Sequence, residues 1–473
     1  MVTPPPGPTS REIAERLAAV ELPHVAARQG ARAEQAGVDF SPIAYARTQG
    51  SFVEDADGNI YVDLAAGFGA CTLGHAPAPV LERMHAAMSQ NWLALGDLYG
   101  HALKLELCER LARLYPERGA RVALGLSGAD ALTAAIKTCA LYTHKPGLIA
   151  FTGGYHGLSY APLAACGLTE SFRAPFAGHL GNHVTFAPYP SSKSVFPALA
   201  TVEERLRQGS VGGVIIEPIL GRGGCVPASK DALAALRTLC DKYNALLVFD
   251  EVWTGLGRCG ALLAAPPGLA DIVCVGKGLG AGVPISACIG RAHVMECWGE
   301  HGGATVHTAT HFGSPGACAA ALATLDTLAA HDLPNRARRT GDAWRNSLKT
   351  IAATPDGARA GMRVTGAGLM IGLHFHPGRS AKASGFSVPP NASDDAIESS
   401  PSLRDPPTQR DAEIPEPPSA FTLRLMRALL ERGYITVSGG KRGDVLTLTP
   451  ALTIDETLLA GFDRALHECL VRA

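Results

Sequence analysis

The chain lacks every feature that would direct it to nucleic acid, to a membrane or to a disulfide framework. Its 42 basic residues cancel against 43 acidic ones, so no basic excess asks for nucleic acid and no acidic tail asks for a basic partner. No uninterrupted apolar run reaches the ~20 residues of a membrane-spanning helix. The opening Met-Val-Thr-Pro-Pro-Pro-Gly-Pro-Thr-Ser has neither the charged start nor the apolar stretch of a signal peptide. No two of the 12 cysteines stand as Cys-x-x-Cys, which argues against a zinc ribbon or a thioredoxin-like site and suits reduced, buried thiols. No metal site is expected. These absences leave a soluble cytoplasmic protein as the expectation.

What the chain has in quantity is glycine, 53 residues, which suits closely packed α/β units with tight strand-to-helix turns. At 473 residues and 47% apolar content it can bury the cores of two or three domains.

Residues 1–74 read as an N-terminal segment. Its prolines predict a disordered start, Ser10 predicts an N-cap for a helix, and Asp57-Gly58 predicts the turn of a β-hairpin over 52–64. From 75 to 325, short apolar runs (Leu148–Phe151, Gly213–Ile216, Leu246–Phe249 and Ile272–Val275) alternate with helical stretches such as Lys230–Tyr243. That alternation predicts parallel βαβ units, an α/β fold with a mostly parallel central sheet. Residues 326–473 predict a smaller C-terminal α/β domain. It is interrupted at 377–419 by a stretch rich in Pro, Ser, Asp and Arg, read as a mobile surface insertion, either a tolerated loop or a lid.

Lys277 follows the run ending at Val275, and Asp250 ends the run Leu246–Phe249. Strand ends are where ligands bind in open parallel sheets. Burial favours the neutral form of a lysine amine, which attacks carbonyls. A lysine that can hold an aldehyde as a Schiff base, beside a carboxylate that can keep a pyridine nitrogen protonated, suits pyridoxal phosphate. A phosphate needs an anion site, and Ser127-Gly-Ala-Asp130 predicts a capping box at a helix start, with the Gly128 and Ala129 amides pointing outward. Tyr155, in Gly153-Gly-Tyr-His-Gly157, is placed to stack on a flat ring, and Val252 to press on its other face.

Together these residues resemble the class III aminotransferases, pyridoxal-phosphate enzymes of fold type I. The motifs that carry the resemblance are Ser127-Gly-Ala-Asp-Ala131, Tyr155-His-Gly157, Glu217-Pro218, Asp250-Glu-Val-Trp-Thr-Gly-Leu-Gly-Arg258, Gly276-Lys-Gly-Leu-Gly-Ala-Gly282 and His307-Thr-Ala-Thr-His-Phe-Gly-Ser-Pro315. They run in order from about residue 50 to 375, and more weakly to the end. The resemblance implies transfer of an amino group from an amine or ω-amino acid to a 2-oxo acid by a ping-pong mechanism. Lys277 and Asp250 would be catalytic. Gly128, Ala129, Tyr155, His156, Glu217 and Val252 would join them in holding the cofactor. It also implies a homodimer with shared active sites, in which Thr310 of the second subunit completes the phosphate site.

The sequence departs from the family where substrate is recognised. Thr447 stands where an Arg is expected, and Arg222 where that Arg's acid partner is expected. Leu158 and Trp253 replace an Arg and a Gln, and Thr365 replaces an Arg common in the family. With Phe68, these residues predict a donor with substantial hydrophobic surface. Arg222 either binds a substrate carboxylate or pairs with a surface acid. The motifs do not separate transamination from decarboxylation, aminomutation or racemisation (epimerisation) on the same lysine, nor do they alone exclude a non-catalytic scaffold.

Overall fold

The computed structural model describes residues 1–94, 98–115, 119–300, 302–377 and 418–472. Seven strands form its largest sheet: β1 (Arg121–Gly125), β2 (Gly147–Phe151), β3 (Val184–Ala187), β4 (Val211–Ile216), β5 (Leu246–Asp250), β6 (Ile272–Val275) and β7 (Ser286–Gly290). Their spatial order is β1-β7-β6-β5-β4-β2-β3, parallel throughout except for β7, which runs antiparallel to both its neighbours.

The apolar runs are continuous because both faces of this sheet are covered. Leu246, Val248, Ile272 and Cys274 pack in one cluster with Leu132, Ala135 and Cys139 of the helix Gly128–Thr143. The alternate residues Leu247, Phe249, Val273 and Val275 share a second cluster with Leu233, Leu236 and Cys240 of the helix Lys230–Tyr243. The two-residue strand period thus divides one apolar string between two helix layers.

A second sheet joins the two ends of the chain. Phe52–Asp55 and Ile60–Asp63 form the expected hairpin, with Gly58 at φ +83°, and Tyr45–Gln49 pairs on its outer side. Tyr434–Ile435 then adds in parallel to Ile60–Asp63. A third sheet of Arg363–Ala367, Met370–His374, Val445–Leu448 and Val437–Gly439 is wholly antiparallel.

Two expectations for the N-terminus are corrected. The opening segment is held rather than loose: the Val2 and Thr3 amides donate to Asn59 Oδ1 at 2.7 and 3.0 Å, and the Thr9 and Ser10 amides donate to the Asp57 carboxylate at 2.7 and 2.9 Å. The hairpin turn therefore anchors it. The first helix, Pro8–Ala18, starts earlier than expected, with Gly7 as N-cap. Ser10 is instead buried, its hydroxyl accepting from the Ala44 amide at 3.2 Å. The expected insertion lies, over 378–417, outside the described residues. Among those described, no helix is long and apolar enough to cross a membrane. All 12 cysteines are free thiols, and all but Cys71, Cys108 and Cys259 are buried.

Candidate active site

The carboxyl ends of five parallel strands deliver the site. Ser127 follows β1, Tyr155 and His156 follow β2, Glu217 follows β4, Asp250 ends β5, and Lys277 follows β6. These residues, with Gly128, Ala129, Leu158, Val252 and Trp253, line one cavity of about 260 Å³.

Asp250 is buried and fixed by two donors: Val252 N to Oδ1 at 3.0 Å, and His156 Nδ1 against Oδ2 at 2.7 Å. Burial opposes charge on His156, but the Asp250 carboxylate outweighs it, so the imidazole pKa is raised. Glu217 is also buried, and accepts from Tyr155 N at 2.8 Å and Gly221 N at 2.9 Å. Burial, and then the nearby Asp250 charge, push its carboxyl up to about 7.

The Lys277 backbone has φ +41°, a left-handed conformation that non-glycine residues seldom adopt. Its amine lies 4.3 Å over the Trp253 ring and makes no hydrogen bond to a described residue. Burial lowers its pKa to about 8, against the opposing pull of Asp250 and Glu217, with Arg222 adding to the depression. Near neutrality a useful fraction of this lysine is therefore the nucleophilic neutral amine.

The capping box expected at this helix start is present. Ser127 Oγ accepts from Asp130 N at 3.3 Å, and Asp130 Oδ2 accepts from Ser127 N at 2.9 Å. The box leaves the Gly128 and Ala129 amides open at the N-terminus of a 16-residue helix, where the macrodipole favours an anion. Glycine is required at 128, because a Cβ there would stand 2.7 Å from Val252 Cγ1.

The structure sets the remaining expected residues around this centre. Trp253 is buried, and Phe68 meets it edge-on at 5.9 Å while remaining exposed. Leu158 is exposed at the cavity wall. Arg222 stacks over Tyr155. Thr447 is buried within the strand Val445–Leu448. Thr365 donates to the Gly224 carbonyl at 3.0 Å and contacts His374 Nε2 at 2.9 Å, a link between the small sheet and the Glu217–Gly224 loop. Thr310 is exposed and does not line the cavity of its own chain.

Sequence reasoning gave no role to two buried charges in Asp250-Glu-Val-Trp-Thr-Gly-Leu-Gly-Arg258. Glu251 accepts from Thr254 Oγ1 at 2.7 Å and from the Ala264 and Ala265 amides at 2.9 and 2.8 Å, folding the loop after β5. Arg258 donates to the Leu369 and Pro450 carbonyls and so ties that loop to the C-terminal part of the chain. A glutamate and an arginine set among apolar and glycine residues were the available signal, since such charges are buried only with partners.

Fold and cavity together are those of a pyridoxal-phosphate enzyme. The chain belongs to the class III aminotransferases: the family model described as Aminotransferase class-III matches residues 33–470. It is 30% identical to a 4-aminobutyrate aminotransferase of Mycobacterium tuberculosis, over 98% of this chain and 96% of that protein. It is similar to the crystal structure of the ornithine aminotransferase from Toxoplasma gondii, with TM-score 0.73 and 25% identity over 91% of each chain. An ω-transaminase from Thermomicrobium roseum shares the fold, with TM-score 0.78 and 24% identity over 98% of each chain.

The protein is thus a pyridoxal-phosphate-dependent aminotransferase, acting on an amine donor and an oxo-acid acceptor. Its residues suit the cofactor on independent grounds. Among the described residues the Lys277 amine has no hydrogen-bond partner and neither has the buried His156 Nε2, and two outward amides open at a helix start.

Proposed function

We propose that this enzyme moves an amino group from an amine or ω-amino acid with substantial apolar surface to a 2-oxo acid in two half-reactions, with Lys277 as the catalytic base. Pyridoxal phosphate, when bound, supplies the electron sink for charge developing on the substrate carbon. The Gly128 and Ala129 amides hold its phosphate, and Tyr155 and Val252 bracket its ring. Asp250, fixed by His156 and by the Val252 amide, holds the positive charge on the ring nitrogen. Glu217 is committed to two backbone amides and ties the loop carrying Tyr155 to the loop carrying Gly221. Lys277 Nζ takes the proton from the carbon that bears the donor amine and returns it to the carbon on the far side of that nitrogen. Its lowered pKa suits that exchange.

The observation that carries this reading is the convergence of Lys277 and Asp250 with the open helix start on one cavity. The apolar wall of Trp253 and Leu158 supports a donor with hydrophobic surface.

We propose further that two copies assemble and exchange Thr310 between their sites. That residue is exposed and off its own cavity, and Trp92, Leu98 and Tyr99 add exposed apolar surface. Free thiols suit a reducing compartment, and we place the enzyme in the cytoplasm.

The test is a screen of amine donors against pyruvate and 2-oxoglutarate. One equivalent of donor should be consumed per site without acceptor, and turnover should then require the acceptor. Release of CO₂, or inversion of the substrate, without acceptor-dependent turnover would contradict the reading.

A further inference from the structure

Arginines gather beside the cofactor cavity with no carboxylate among the described residues to neutralise them. Arg222 lays its guanidinium 4.7 Å from the centre of the Tyr155 ring and 5.8 Å from that of Phe172. Its carbonyl accepts from the Gly440 amide at 2.7 Å, and Ser438 on the adjoining strand accepts from Arg32 Nη2 at 3.1 Å. One short segment, 438–440, therefore fastens both residues. Arg32 is half-buried, and burial, followed by the charges of Arg28 and Arg222, disfavours its cation.

Among the described residues, none of the three arginines has an acidic partner. The two acids of the cavity are already engaged: Glu217 by the Tyr155 and Gly221 amides, Asp250 by His156 and the Val252 amide. Like charges brought together away from water are unfavourable unless an anion joins them. A guanidinium held over an aromatic ring spends none of its N–H donors on that ring, and their planar fork matches a carboxylate in bidentate fashion. Arg222 also lies within electrostatic reach of the reactive amine, since its charge helps to depress Lys277.

We infer that Arg222, with Arg32 behind it, is the subsite for a carboxylate remote from the reacting carbon, so that the substrates include a chain with an acid group at its far end. The apolar wall of Trp253 and Leu158 would then take the methylenes between the two ends. This assignment rests on the amino-transfer reading and narrows its substrate class.

Glutarate, which has a carboxylate at each end and no amino or oxo group to react, is the probe. Its dissociation constant is measured by calorimetry on the cofactor-loaded enzyme. Arg222→Gln should weaken glutarate on the order of 10- to 100-fold, as loss of a hydrogen bond to a charged group does. Arg222→Lys, which keeps the charge without the fork, should lose less, and Arg32→Gln should weaken binding severalfold. Should Arg222→Gln not fold, Arg222→Lys and Arg32→Gln still decide: unchanged glutarate affinity in both would overturn the assignment, as would wild-type affinity in Arg222→Gln. The two readings fail separately. If glutarate binding depends on Arg222 while no donor passes its amino group to an oxo acid, the transfer reading falls and the carboxylate subsite stands. If transfer proceeds and glutarate ignores Arg222, the subsite falls and transfer stands.

Discussion

His156 Nδ1 lies 2.7 Å from Asp250 Oδ2, and both side chains are buried, one in the loop after β2 and the other at the end of β5. One imidazole therefore fixes the carboxylate proposed to face the cofactor ring. Replacing His156 with Leu should leave Asp250 with the Val252 amide alone and reduce turnover about 10- to 100-fold, the scale of a lost hydrogen bond to a charged group. Asp250→Asn should cost more, on the order of 100-fold or beyond, because the charge itself is removed. Steady-state kinetics on both variants check the order; His156→Leu matching the wild type would break the link.

The Lys277 pKa of about 8 predicts how the cofactor-free protein takes up pyridoxal phosphate. Only the neutral amine attacks the aldehyde, so the loading rate should rise with pH through an inflection near 8. The neighbours set the sign of each shift. Arg222 depresses the lysine, so Arg222→Gln should move the inflection up, whereas Glu217 raises it, so Glu217→Gln should move it down. Stopped-flow loading rates between about pH 6 and 10 measure all three, and shifts in the opposite sense would contradict the electrostatics.

Gly221 exists for Trp253: a Cβ on Gly221 would stand 2.4 Å from Trp253 Cε3. Gly221→Ala should push the indole into the cavity, cost about 1–3 kcal/mol of stability by overpacking, and discriminate against bulky donors. Trp253→Ala should do the reverse for selectivity, raising kcat/KM for bulky donors relative to small ones. Relative kcat/KM over a donor series reads both.

His75 Nε2 lies 2.8 Å from Asp63 Oδ2, and its Nδ1 lies 3.7 Å from Cys71 Sγ. Asp63 first, and then Cys71, raise the imidazole pKa to about 10. A pKa raised on folding gives stability that is full below the ordinary value near 6.5 and lost as pH rises through about 10. Thermal unfolding should accordingly show Tm falling over that window. Asp63→Asn keeps an acceptor for the Ala65 and Ala66 amides, which Asp63 Oδ1 now receives at 2.9 and 2.8 Å, and should flatten the dependence.

Thr310 tests the assembly. Sedimentation should show two copies, and Thr310→Ala should weaken cofactor retention about 10-fold through the loss of a hydrogen bond to phosphate. A monomer whose Thr310→Ala variant holds the cofactor as tightly as the wild type would contradict an exchanged contact.

Much of this architecture was legible in the chain because its central strands are apolar on both faces. The runs at Leu148, Gly213, Leu246 and Ile272 all lie in the large sheet. The antiparallel strand β7 was not legible: Ser-Ala-Cys-Ile-Gly has small residues of weak strand preference, and its pairing with β1 and β6 forms it. Nor was β3, an edge strand whose alternation is only half-buried.

At the site, the motif around Lys277 and the capping box announced themselves through local chemistry. The contact between His156 and Asp250 spans 94 residues and could be found only in the fold. The anchoring of the first residues failed to show for the same reason, since its acceptors, Asn59 and the Asp57 carboxylate, lie far along the chain. Arg32 gave no signal at all; an arginine near the start of the chain reads as solvated until Ser438 holds it.

The central claim is that the Lys277 amine is the group that binds and works with the cofactor. Borohydride fixation of pyridoxal phosphate to the loaded enzyme, followed by peptide mass mapping, addresses it directly. The phosphopyridoxyl mass should appear on the peptide containing Lys277 and on no other, with no fixation in Lys277→Ala. Fixation at another lysine, or retained turnover in Lys277→Ala, would contradict it.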